Sequence, residues 1–131
     1  MLPLLLLGSF HLNALSEEKV KLKAAGPEEL FLYRAMGVSF FCKARNVGLE
    51  FNDALLIPAA TYTEVLEGKH GGKIYGVSDE RLSKDTLFKG AQNQLIIEAM
   101  NLCPNEVPED IQEKVKKAIK ENNKVKKRKA R

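Results

Sequence analysis

Apolar residues recur at helical spacing in four stretches of the chain, and helix-breaking or capping residues separate them. Pro27–Gly48 opens with Gly26 as N-cap, Pro27 at the first helical position and Glu28-Glu29 on the positive end of the dipole. Phe31, Ala35, Val38 and Cys42 form its predicted buried stripe, Leu30 and Phe41 widen it, and Gly48 ends it. The second stretch is capped at Asn52 and buries Ala54, Leu55, Ala59, Tyr62, Val65 and Leu66, with Gly68 and Gly71-Gly72 as its stop. Pro58 predicts either a kink there or a helix starting at Pro58 after a lead-in loop, because an internal proline costs about 3 kcal/mol. Ser83 caps a third helix with Leu87, Phe88, Ala91, Leu95, Ile96, Ala99, Leu102 and Cys103 inward, closed by Pro104. The fourth opens at Pro108 with Ile111, Val115, Ala118 or Ile119, Asn122 and Val125 on one face. Lys73–Leu82 is the longest connection, and Glu17–Ala25 reads as coil without a strand partner. The pattern predicts an all-α fold, a small four-helix bundle-like domain.

A chain of 131 residues has room for one core. Its net charge of +4 is unevenly placed: residues 113–131 hold ten Lys or Arg against two Glu, a local +8, so the remainder sums to −4. The basic character therefore belongs to the C-terminal end, whereas a nucleic-acid-binding domain carries it on the fold. No aromatic residue interleaves these charges for base stacking, so nucleic acid is not the expected partner. Lys124, Lys126, Lys127, Arg128 and Lys129 are instead candidates for contact with an anionic membrane surface, or form a solvated helix end.

Residues 1–16, MLPLLLLGSFHLNALS, resemble a secretory signal peptide cleaved after Ser16, although no Lys or Arg precedes the leucine run. Either the amino terminus supplies that charge or the true start lies upstream. The run is far short of the roughly 18 to 20 residues a membrane-spanning helix needs. The expected organisation is a signal peptide at 1–16, an arm at 17–26, a helical domain at 27–112 and a basic helix or tail at 113–131. This organisation implies export to a periplasm, a thylakoid lumen or the medium; the alternative for residues 1–16 is an apolar N-terminal arm packed on the body.

Cys42 and Cys103 each fall on the predicted inward stripe of a helix. In an oxidising compartment two such cysteines pair. The bridge would close a loop of about 60 residues and contribute roughly 4 kcal/mol on the chain-entropy model. The alternative is two buried free thiols; the spacing is unlike the redox C-x-x-C motif.

Candidate chemistry is sparse. His70, in G-K-H-G-G, is the one histidine outside the leader and a weak candidate general base, with Lys69 or Lys73 and glycine amides to hold a phosphate. The segment matches neither a Walker loop nor a dinucleotide fingerprint, and reads equally as a helix C-terminus. No cluster with metal-ligand spacing accompanies it, so neither metal nor cofactor is expected. Glu98, within L-I-I-E-A-M, is expected either to face solvent or to pair with Arg34 or Arg45 across the bundle.

ELFLYRAMGVSFFCKAR, PAATYTEVLEGKHGG and LFKGAQNQLIIEAMNLCP together resemble a group of short exported cyanobacterial proteins of unknown function, some of them labelled "possible cAMP phosphodiesterase, class II". The resemblance, over roughly residues 29–115, implies a lumenal or periplasmic address and matched cysteines. A metal-dependent phosphodiesterase needs several His and Asp ligands, and four aspartates with one histidine outside the leader do not supply that set. The expected function is a non-enzymatic protein-binding or envelope-complex module with Tyr33, Arg34, Tyr62 and His70 as its contact surface. The alternative is a phosphate-ester or cyclic-nucleotide hydrolase.

Overall fold

The computed structural model describes residues 21–131, so the predicted signal peptide and the first residues of the arm lie outside the described part. The fold is all-α. Four helices follow one another, α1 (Pro27–Asn46), α2 (Phe51–His70), α3 (Lys84–Leu102) and α4 (Glu109–Lys129), with a single 3-10 turn at Pro104–Glu106. The first three pack against each other around one core.

The helix starts follow local chemistry. The Glu29 side chain reaches back to accept the Gly26 N–H at 2.9 Å, fixing the first turn of α1. Ser83 accepts the Thr86 N–H at 3.1 Å and caps α3. α1 runs to Asn46, and Gly48 turns the chain away at φ +95°. α2 ends at Gly71, left-handed at φ +60°; Gly68 lies inside the helix.

Three expectations are corrected. α2 begins after Glu50 rather than at an Asn52 cap; of the two readings of Pro58, the helix that runs through the proline is the one found, and the lead-in loop with a start at Pro58 is not. Pro58 is buried, and tertiary packing of its ring offsets the hydrogen bond it removes. The arm does have a partner: Ala25 N–H donates to the Lys73 carbonyl at 3.0 Å, and Tyr75 N–H donates to the Ala25 carbonyl at 3.0 Å. This isolated parallel bridge leaves Ala25 fully buried. The inward face of α1 is turned by roughly a quarter turn, at 100° per residue, from the predicted stripe. Gly37, Val38, Phe41 and Ala44 are buried, whereas Phe31 is 64% exposed. On α3, Leu87, Ala91, Leu95 and Ala99 are buried and Leu102 is exposed.

The core centres on Phe41 and Leu95, both 0% exposed, with Phe41 edge-on to Phe51 at 5.7 Å. A side chain on Gly37 would place its Cβ 2.7 Å from Leu95 Cδ2 and 3.7 Å from Pro58 Cβ. At that glycine α1 therefore packs tightly against Leu95 of α3, with Pro58 of α2 beside it. Tyr62 donates to Gln94 Oε1 at 3.2 Å, joining α2 to α3. Arg34 pairs with Glu98 at 3.5 Å, so Glu98 is both partly exposed and paired across the bundle. Arg45 donates to the Glu106 and Leu49 carbonyls, holding the 3-10 turn against the end of α1.

Cys42 and Cys103 form a disulfide with Cα atoms 6.0 Å apart, within the usual span of such bonds. It ties the C-terminal turn of α1 to the residue that closes α3, on the edge of the core rather than in its centre.

α4 departs from the expected bundle packing. None of its residues is fully buried; of the predicted inward stripe Ile111 and Val115 are half-buried, while Ala118, Ile119, Asn122 and Val125 are exposed. Gln112 anchors its start by donating to the Pro104 and Val107 carbonyls, both at 3.0 Å. Past that point the helix leaves the body.

The disulfide closes a loop between positions 61 residues apart, so a Cys42→Ala/Cys103→Ala variant should lose about 2–5 kcal/mol of unfolding free energy. Urea unfolding followed by far-UV circular dichroism measures it, and reduced wild-type chain should match the variant.

Candidate functional site

α1 carries more apolar surface than one buried face can absorb. Leu32, Met36 and Phe40 stand at i, i+4 and i+8, on the side of α1 away from the core-facing stripe, and form a ridge. They are exposed by 54, 64 and 44%. Ile57, Thr61 and Val65 make the matching i, i+4, i+8 ridge on α2. Met36, Phe40 and the α2 ridge wall an open groove of about 260 Å³, with Tyr33, Gly37, Pro58 and Tyr62 at its base. Thr61 spends its hydroxyl on the Ile57 carbonyl at 2.9 Å, so even the polar member of the wall has its hydrogen bond satisfied within the helix.

A polar cluster closes one end. The Lys23 carbonyl can only accept, so the 2.8 Å contact makes His70 Nδ1 the donor. His70 Nε2 then accepts the Tyr33 hydroxyl at 2.9 Å. The Tyr33 and Tyr62 rings meet edge to face at 6.0 Å, and the Lys69 ammonium lies 6.0 Å from the centre of the Tyr33 ring. Burial pushes the Tyr62 phenol above its ordinary range, opposed by the nearby Arg34.

This geometry redistributes the residues expected to act. His70 is 2% exposed with both ring nitrogens engaged, so it pins the arm to α2 and presents no free nitrogen to a reactant. Burial likewise removes His70 from the expected contact surface, and it reduces Tyr62 to part of the groove base. Arg34 is committed to Glu98, and Tyr33 lines the groove. Lys124, Lys126, Lys127, Arg128 and Lys129 are all exposed on the last turns of α4. Among the described residues, no group of three or more His, Cys, Asp or Glu stands close enough to hold a metal ion. No described helix is long and apolar enough to cross a membrane.

The residues missed by sequence reasoning are Leu32, Met36, Phe40 and Ile57. Their signal was available: Leu30, Phe31, Leu32, Met36, Phe40 and Phe41 surround α1 on nearly all sides, which one core-facing stripe does not require.

The chain is thus a disulfide-linked helical domain with an apolar inter-helix groove. Residues 28–127 match the model of a family described as a domain of unknown function (DUF8650), and the chain belongs to that family. The match spans the helical body and α4 together. No curated protein and no solved structure matches the chain.

Replacing His70 by Ala should remove both hydrogen bonds and lower stability by about 1–3 kcal/mol. Hydrogen exchange at the Ala25 and Tyr75 amides, which form the arm bridge, should accelerate in that variant while the α3 core amides slow or speed only with global stability.

Proposed function

We propose that this is an exported, non-enzymatic binding module whose α1/α2 groove receives the apolar face of a helix from a partner protein. The single observation that carries the reading is the mainly apolar groove in which Met36 and Phe40 of α1 face Ile57, Thr61 and Val65 of α2. Two ridges at this spacing accept the ridge of a third helix, as helix-in-groove recognition does. The groove volume of about 260 Å³ suits a few aliphatic side chains and falls below the roughly 300–1,000 Å³ of small-molecule sites. Burying a side chain such as Met36 or Ile57 contributes on the order of 1.5–3 kcal/mol each.

The disulfide and the leader pattern both support an oxidising address: periplasm, thylakoid lumen or medium. The burial of His70 speaks for binding over the alternative hydrolase, whose proposed base it was.

A photo-crosslinking residue at Met36 should trap one partner from the native envelope fraction, while the same residue at Lys89, on the exposed side of α3, should not. A Met36→Glu/Ile57→Glu variant should lower recovery of that partner by about tenfold or more, since each glutamate removes one buried anchor and strands a charge. Its melting temperature should stay near that of wild type. Equal crosslinking from both positions, or recovery untouched by the double substitution, would overturn the groove reading.

A further inference from the structure

α4 poses a separate physical problem. It is a 21-residue helix in which no residue is fully buried, Gln112 fastens its first turn to the body, and every residue beyond Val115 is exposed. Its lysines stand at helical neighbour positions, Lys116 with Lys120 and Lys120 with Lys124, where like charges destabilise a helix. Among the described residues, ion pairs engage only Lys114 and Lys116 of this basic set. Val115, Ala118, Ile119 and Val125 share another face, interrupted by Asn122 and Lys126, and Ile119 and Val125 remain 43 and 47% exposed. Lys116, Lys120, Lys124 and Lys127 flank Ile119 on one side, so their stems extend the apolar strip while their ammonium groups stay at its margin.

From this arrangement we propose that α4 lies on an anionic phospholipid bilayer surface, its valine–isoleucine face at the acyl boundary and its lysines among the headgroups. A negative surface removes the repulsion between the lysines and covers the exposed strip at once. Charge selects this occupant. Residues 113–131 carry +8 against −4 on the rest of the chain, so the helix is drawn to the bilayer and the body is not. A second copy of α4 would meet the strip with an equal positive charge. A nucleic acid would leave the strip uncovered, and α4 offers it no aromatic residue. The family match reaches residue 127, so this helix belongs to the domain. The proposal does not rest on the groove: the two surfaces share no residue.

The test uses the full oxidised chain and sedimentation with vesicles of phosphatidylcholine alone or with about 30 mol% phosphatidylglycerol. Binding should require the anionic lipid and fall by about tenfold or more when salt rises from about 50 to 500 mM, as screening shortens the reach of the charges. An Ala118→Ser/Ile119→Ser/Val125→Ser variant keeps every charge and should also bind about tenfold or more weakly, with the melting transition of the body unchanged. The chain has no tryptophan, so Ile119→Trp supplies a lone emission reporter that should shift to the blue on anionic vesicles only. Failure to bind anionic vesicles, or binding indifferent to the triple substitution, would overturn the proposal. So would duplex DNA or an acidic protein competing α4 off the vesicles without any loss in the triple variant, since charge alone would then account for the contact.

Discussion

The close approach at Gly37 governs the rest of the structure. α1 meets α3 and α2 at one residue without a side chain, and Leu95, with no exposed surface of its own, fills the space a Cβ would take. Interiors are packed to crystal-like density, so a contact this tight sets the separation of all three helices. Gly37 and Pro58 also line the groove between α1 and α2. A helix pays for an internal glycine with conformational entropy, and here that cost secures the close packing of the core.

The disulfide and the arm act at opposite ends of this junction. Cys42–Cys103 constrains the end where α1 and α3 finish, and its value lies mainly in restricting the unfolded chain. At the other end, Lys23, Ala25, Tyr33 and His70 link the arm, α1 and α2 through a few directed hydrogen bonds. Surface ion pairs such as Arg81–Glu67 and Lys84–Glu64 join the loop and α3 to α2 but contribute little individually. The groove thus lies between helices tied together at both ends, while the exposed end of α4 stands apart from them. Apolar walls and a detached basic helix suit two different kinds of contact.

Much of this was legible in residue order because it depends on local chemistry. Gly26-Pro27-Glu28-Glu29, Ser83 and Pro104 announce helix ends through capping and steric rules that act within a few residues. The cysteine pairing followed from compartment chemistry and from two apolar stripes. What could not be read depends on distant partners. Pro58 sits inside a helix because the surface around Gly37 accommodates its ring, and nothing near it in sequence reveals that. His70 looks like a free residue beside a glycine turn until the Lys23 carbonyl, far away in sequence, takes its proton-bearing nitrogen. The facing of α1 was misjudged because apolar residues nearly encircle it, and periodicity cannot choose among several apolar faces. On α4 the stripe was visible, but whether the body covers it is a question of tertiary packing.

The most direct test compares two glycine-to-alanine substitutions within helices. At Gly90 on α3 nothing lies within 4 Å of an added Cβ, so Gly90→Ala should stabilise the chain by up to about 1 kcal/mol through helix propensity alone. At Gly37 the same gain should be overwhelmed by overpacking against Leu95, for a net loss of about 1–3 kcal/mol. Urea unfolding of both oxidised variants reads the two signs side by side. A stabilised Gly37→Ala chain would mean that the three helices do not converge there, and both the core and the groove described above would be wrong.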